Sequence, residues 1–163
     1  MICHADGPFY YPISCILSSD PCILSVMPLE RLPQYVATTR QIRVSVKPTY
    51  LDDQSAPHDN HFVWAYQVKI ENLGGETVQL RGRHWRITDA RGELYEVKGS
   101  GVIGEQPTLE PGDIYEYTSG TPLPTPSGIM SGAYHMENER GEAFDIEIPA
   151  FSLDSPYQPV RLN

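Results

Sequence analysis

Six residues carry the pattern most easily read as chemistry. Gly99-Ser100-Gly101-Val102-Ile103-Gly104 matches G-x-G-x-x-G, the fingerprint of dinucleotide binding. In that use the motif follows a strand and opens a helix, whose free N-terminal amides hold a pyrophosphate. The segment Leu94-Tyr95-Glu96-Val97 meets the first condition. The second fails, because Pro107 and Pro111-Gly112 follow within a few residues and no packed crossover helix can form. A βαβ nucleotide fold is therefore excluded. Two uses of the glycines remain open. One is a loop between strands that needs positive φ or close packing. The other is a backbone nest at Gly99, Gly101 and Gly104 that cradles pyrophosphate or a nucleotide, with charge supplied by Arg81, Arg83 and the nearby Arg86.

A second cluster lies in "LDDQSAPHDNHF", which holds Asp52, Asp53, His58, Asp59 and His61. Carboxylates suit Mg²⁺, and Co²⁺ accepts imidazole as well. Asp52, Asp53, His58 and His61 are the metal candidates, against the plainer reading of a solvated turn. His84 and His135 lie on strand-like segments and read as surface or packed side chains. Nucleophilic catalysis finds no frame. Ser100 has no histidine nearby in sequence, and no G-x-S-x-G elbow is present. We expect no enzymatic activity.

The elements that position these residues follow from a period of two. In "QIRVSVKPTYL", Ile42, Val44, Val46 and Tyr50 share one face. Pro48 on that face removes a ladder donor and predicts an edge strand. In "HFVWAYQVKIEN", Phe62, Trp64, Tyr66, Val68 and Ile70 face one way and require a second layer to cover them. "TVQLRGRHWRITD" changes phase between Leu80 and Trp85, which predicts a bulge at Gly82. Turns are expected at "NLGGE", "DARGE", "LEPGD" and Glu139-Arg140-Gly141, and "PLPTPSG" reads as a rigid connector. "IMSGAYHMEN" and "AFDIEIPAF" are two further strands. Tyr115 and Tyr117 in "IYEYTSGT" either complete the core or form a partner-binding patch. No segment has helical period. The fold class is all-β, an immunoglobulin or fibronectin type III-like sandwich of about seven strands.

Composition narrows the partners. Lys and Arg number 12 against 21 Asp and Glu, a net charge of -9, which disfavours nucleic acid. No apolar run is long enough for a membrane helix. The three cysteines, Cys3, Cys15 and Cys22, all fall before the strands begin. A core without cysteine fits a reducing, cytoplasmic compartment. The residues 1–35 read as an N-terminal extension, poorly ordered or arising from an upstream start codon, and 36–163 as the domain.

"FVWAYQVKIENLG", "VQLRGRHWRITDARGE", "VKGSGVIGEQPTLEPGDIYEYTSGTPLPTPSGIMSGAYHM" and "IPAFSL" together resemble the ApaG family of bacterial proteins. The resemblance covers about Val36 to Leu153 and is carried by G-x-G-V-x-G-x-Q-P, L-x-P-G, Y-T-S-G and M-x-G-x-Y. It implies a fibronectin type III-like sandwich, a link to cobalt resistance and magnesium efflux, and no established enzymatic activity. Similar modules are appended to F-box proteins and to a polymerase-delta-interacting protein, where they look like interaction units. In the family the glycine motif has been considered a pyrophosphate element. The resulting expectation is a non-enzymatic binding module for divalent-cation homeostasis, acting through a protein partner, with a homo-oligomer also open. The alternatives are a pyrophosphate or nucleotide binder and a direct Mg²⁺ or Co²⁺ binder.

Overall fold

The computed structural model describes residues 34–157. The cysteines and most of the 1–35 extension lie outside the described residues.

Among the described residues, nine strands make two antiparallel sheets. They are β1 (Tyr35–Thr39), β2 (Ile42–Tyr50), β3 (Phe62–Asn72), β4 (Val78–Asp89), β5 (Leu94–Ser100), β6 (Thr108–Leu109), β7 (Ile114–Leu123), β8 (Ser127–Asn138) and β9 (Ala143–Asp154). One sheet runs β1-β2-β3-β7 and the other β5-β4-β8-β9, with β6 beside β5 on the edge of β4. The expected sandwich is present, with no α-helix among the described residues. Alternation in the sequence is alternation in burial: Phe62, Trp64, Tyr66, Val68 and Ile70 are all at most 4% exposed. Trp85 meets Tyr66 of the facing sheet at 5.3 Å, and Phe151 at 6.1 Å and Tyr134 at 6.2 Å within its own sheet, between ring centroids. Edge-to-face packing of this kind favours one core arrangement over a merely greasy one.

Local expectations need adjusting at β2, at the connector and at the bulge, and one strand is new. β2 is not an edge strand over its whole length. Residues 42–46 pair with β1 on one side and β3 on the other, while Pro48, beyond the end of β1, pairs only with Tyr66. The proline thus sits where no donor is required. β1 itself escapes the sequence pattern, because "YVATT" has one large apolar residue on each face. The connector "PLPTPSG" is mostly strand: β7 runs through Leu123 and β8 begins at Ser127. The bulge expected at Gly82 falls one residue earlier, at Arg81, where the β4–β8 register slips between Leu80 and Gly82.

The two sheets are joined along one side and separate along the other. On the β1/β9 side, Tyr35 Oη and Ser152 Oγ lie 2.9 Å apart, and the Glu147 amide donates to Thr39 Oγ1 at 3.1 Å. At one end, Arg40 donates to Glu142 at 3.1 Å and its guanidinium lies 4.2 Å from the Phe144 ring centroid. Arg40 holds the exposed Glu142 carboxyl below its usual range. On the opposite side β5 and β7 end their sheets, and no ladder joins them. The glycine-rich segment lies on that open side.

Candidate functional site

The glycine-rich segment is a small hairpin standing on the end of β5. Gly99 and Ser100 are still strand, paired with Arg83 and Gly82. Val102 and Glu105 then exchange two backbone hydrogen bonds, 2.8 and 2.9 Å long. This closes a two-residue turn with φ of 47° at Ile103 and 74° at Gly104. Positive φ at both positions matches the twist that a tight hairpin demands. Val102 is fully buried and anchors the hairpin, while Ile103 is 43% exposed at its tip.

Each glycine has its own physical reason. A Cβ on Gly99 would lie 2.9 Å from Arg83 Nη1, so the missing side chain makes room for the guanidinium. A Cβ on Gly101 would lie 2.1 Å from the Glu105 carbonyl oxygen, an impossible approach. Gly104 faces open space and is needed for its φ alone.

The arginines are engaged by the chain itself. Arg83 points inward, level with Tyr134 and Gly99, and Nη1 donates to the carbonyls of Ser100 at 3.2 Å and Gly101 at 2.8 Å. Arg81, the bulge residue, pairs with Glu137 at 3.1 Å and accepts at its carbonyl from the Gly101 amide at 2.9 Å. The amides of Val102 and Glu105 are therefore bonded within the loop and that of Gly101 to β4. A phosphate held by these three amides would have to break those bonds.

The hairpin is tied to β7 by Tyr115, whose hydroxyl donates to Glu105 Oε2 at 2.7 Å. Behind it Tyr117 and Tyr134 share a hydrogen bond between their hydroxyls. Of the tyrosine alternatives, packing holds: Tyr117 is 7% exposed and Tyr115 half-buried, both on the inner face. Burial first, then the hydrogen bond and negative charge of Glu105, push the Tyr115 hydroxyl up to about 12. Folded protein therefore holds this proton where an unfolded tyrosine, with an ordinary value near ~10, has released it. Its contribution to stability is intact below pH 10 and is lost as pH rises from 10 to about 12. We expect Tyr115→Phe to flatten the stability profile across that window in alkaline denaturation, with no change near neutrality beyond the lost hydrogen bond.

The metal candidates do not converge. Asp52 and Asp53 occupy one single-turn 3-10 helix and His58 the next, while His61 forms a bridge with Ala56. Asp52 instead accepts from the Tyr157 hydroxyl at 3.2 Å, and its charge raises that tyrosine. Among the described residues no three of His, Cys, Asp and Glu form a group that could hold a metal ion. His84 and His135 are each bonded to a strand neighbour's carboxylate, Glu96 at 3.2 Å and Asp145 at 2.5 Å.

The ApaG domain family matches residues 52–138, more than half of the chain, including the hairpin and the strands that carry it. The chain belongs to the ApaG family. It is 71% identical over 129 residues to Protein ApaG of Paramagnetospirillum magneticum, covering 79% of this chain and 99% of that protein. Protein ApaG of Rhodospirillum centenum is 62% identical over the same shares. Among solved structures, a Bordetella pertussis protein described as ApaA superposes with a TM-score of 0.70 at 45% identity, over 74% of this chain and 98% of that one. No helix among the described residues is long and apolar enough to cross a membrane.

What sequence reasoning missed about this ApaG domain is the direction of Arg83. The motif's glycines and the arginine were both visible, but not that the arginine grips the loop from inside. The bulge at Arg81 was the signal, since it turns residue 83 onto the core face.

Proposed function

We propose that the protein is a non-enzymatic docking module whose glycine-built hairpin presents Ile103 to a protein partner. One observation carries this reading. Ile103 is a β-branched residue in the left-handed region, φ 47°, and it is 43% exposed. Such a backbone costs an isoleucine on the order of 1–2 kcal/mol. An exposed tip recovers little of that by burial within the monomer. Asparagine or glycine would serve folding better. The hairpin beneath is rigid, held by buried Val102, by Arg83 and by Tyr115. A stiff, ready-made apolar tip loses little entropy on binding.

The cellular role we infer is divalent-cation homeostasis in the cytoplasm, exerted through that partner. It rests on the family's link to cobalt resistance and magnesium efflux. The pyrophosphate, nucleotide and direct Mg²⁺ or Co²⁺ readings rank below it, because the amides of Gly101, Val102 and Glu105 are already bonded and no group of three metal-ligating side chains forms among the described residues.

Ile103→Asn tests the reading with two opposite outcomes. Stability should rise, by about 1 kcal/mol in denaturant titration, as the left-handed strain is relieved. Affinity for the partner, first captured by the wild type and then purified, should fall tenfold or more in calorimetry. Cobalt tolerance of cells carrying the variant should fall to that of cells lacking the protein. Unchanged affinity and tolerance would remove the hairpin tip from the function.

A further inference from the structure

Among the described residues the sandwich has four edge strands, and two of them are bridged to each other. β1 and β9 are joined by Tyr35 with Ser152 and by Thr39 with Glu147. β5 and β7 end their sheets on the other side, where no ladder joins them. An unpaired edge is a template for another strand, and a lysine on the edge is a common guard against that. β5 carries Lys98. β7 carries no lysine or arginine.

The register says which groups of β7 are free. Where the β3–β7 ladder starts, the Asn72 amide donates to the Asp113 carbonyl at 3.0 Å, and the Asn72 carbonyl accepts from the Gly112 amide at 2.8 Å. Bonded pairs alternate along an antiparallel ladder. Tyr115, Tyr117, Ser119 and Thr121 therefore bond to β3, while Glu116, Thr118 and Gly120 turn their amides and carbonyls outward. The next outward position is Pro122, which has no amide to leave unpaired. Val63, opposite Pro122, agrees with this phase, since its amide and carbonyl go to Ser55 and Leu51 rather than to β7. Gly120 and Pro122 are buried, so the open stretch runs from Ile114 to Thr118, about 17 Å of strand.

Charge selects the occupant. The outer face of this stretch shows Ile114, 54% exposed, with exposed Glu116 and Thr118 beside it. Lys69 stands opposite Glu116, but its ammonium bonds Glu71 at 3.0 Å. Glu105 is held at this edge by Tyr115, and Glu110 and Asp113 lead into the strand. From residue 99 to 139 the chain has no lysine or arginine. A second copy pairing β7 with β7 would set this acidic stretch against itself, whereas a basic strand is attracted to it.

We propose that β7 receives an extended basic segment of the partner protein. The segment adds as a strand along Ile114 to Thr118, with a lysine or arginine beside Glu116 and a β-branched residue beside Ile114. The inference rests on the docking reading above and names the form of the partner. Main-chain bonds to Glu116 and Thr118 supply the grip, and the Ile103 hairpin, tied to Tyr115 through Glu105, stands next to the added strand.

The probe is the peptide acetyl-Lys-Thr-Val-Lys-Val-Ile-Lys-amide, read by amide hydrogen exchange in NMR of the full chain. In free protein the Glu116 and Thr118 amides should exchange fast, while those of Tyr115 and Tyr117 are protected. Peptide should slow Glu116 and Thr118 saturably, by roughly tenfold or more. The peptide N-methylated at its threonine and central lysine should leave them fast, and so should one with glutamate for each lysine. Thr118→Pro removes an outward amide and no ladder bond, so it should keep Tm within a few degrees and abolish the protection of Glu116. Glu116→Lys leaves the backbone intact and should weaken the peptide by about tenfold. Amides at Glu116 and Thr118 that stay fast at every peptide concentration overturn the proposal. Protection of the two that grows with protein concentration alone assigns the edge to a second copy and overturns it as well. Ile103→Asn should leave the peptide's protection in place, so a failure of the hairpin tip and a failure of the edge are read apart.

Discussion

Gly132→Ala should lower the stability of the domain by about 3 kcal/mol, roughly 10 °C in Tm for a chain of this size. Gly132 sits in the middle of β8, opposite Trp85 on β4, where the β8–β9 register also slips. A Cβ there would stand 2.2 Å from the His84 carbonyl oxygen and 3.2 Å from its carbonyl carbon. Both are backbone atoms of the central ladder, so no side chain can swing aside. Relief requires β4 and β8 to separate, which loosens the sheet beneath Trp85. Gly75→Ala is the control, because nothing lies within 4 Å of its Cβ and its φ is not positive. It should change Tm by no more than a degree or two, within about 0.5 kcal/mol. Thermal melts of the pair decide the matter. Equal, small shifts would mean that the central ladder tolerates spreading.

Gly101→Ala is the second large effect, expected at about 2–3 kcal/mol. Its Cβ would overlap the Glu105 carbonyl at 2.1 Å, and its φ of 61° is unfavourable to any L side chain. The hairpin must open to accept it. Opening breaks the Val102–Glu105 bonds and carries Glu105 away from Tyr115. The substitution therefore has a spectroscopic consequence that simple destabilisation lacks. The Tyr115 hydroxyl, held near 12 in the intact protein, should ionise at lower pH in ultraviolet titration. Gly104→Ala pays only for its backbone, about 1 kcal/mol, because its Cβ would meet nothing. Tyr115 should then titrate as in the parent. If Gly101→Ala leaves Tyr115 unchanged, the hairpin does not depend on that close approach.

The site was legible in proportion to how local its causes are. Prolines after Gly104 excluded the nucleotide fold, and the position of the glycines at the end of a strand marked a loop in an all-β chain. The unlinked metal candidates show the limit. Asp52, Asp53, His58 and His61 are close in sequence, but two single-turn helices and the left-handed Asn60 turn them apart. The Ser119 and Thr121 hydroxyls give no signal at all in "YTSGT", where alternation with Thr118 and Gly120 reads equally well with either face inward.

The sequence by itself determined the class of fold, the buried face of β3, the bulge beside Gly82 and the turns at Gly92, Gly112 and Gly141. These follow from a period of two and from φ preferences, which act between neighbours in the chain. Only the tertiary structure decided that Arg83 points inward to the carbonyls of Ser100 and Gly101, that Gly101 lies against Glu105, and that Trp85 packs edge-on against Tyr66 of the facing sheet. Each of these depends on which atom from a distant segment arrives opposite. Register between strands sets that, and register is a property of the closed sandwich rather than of any one strand.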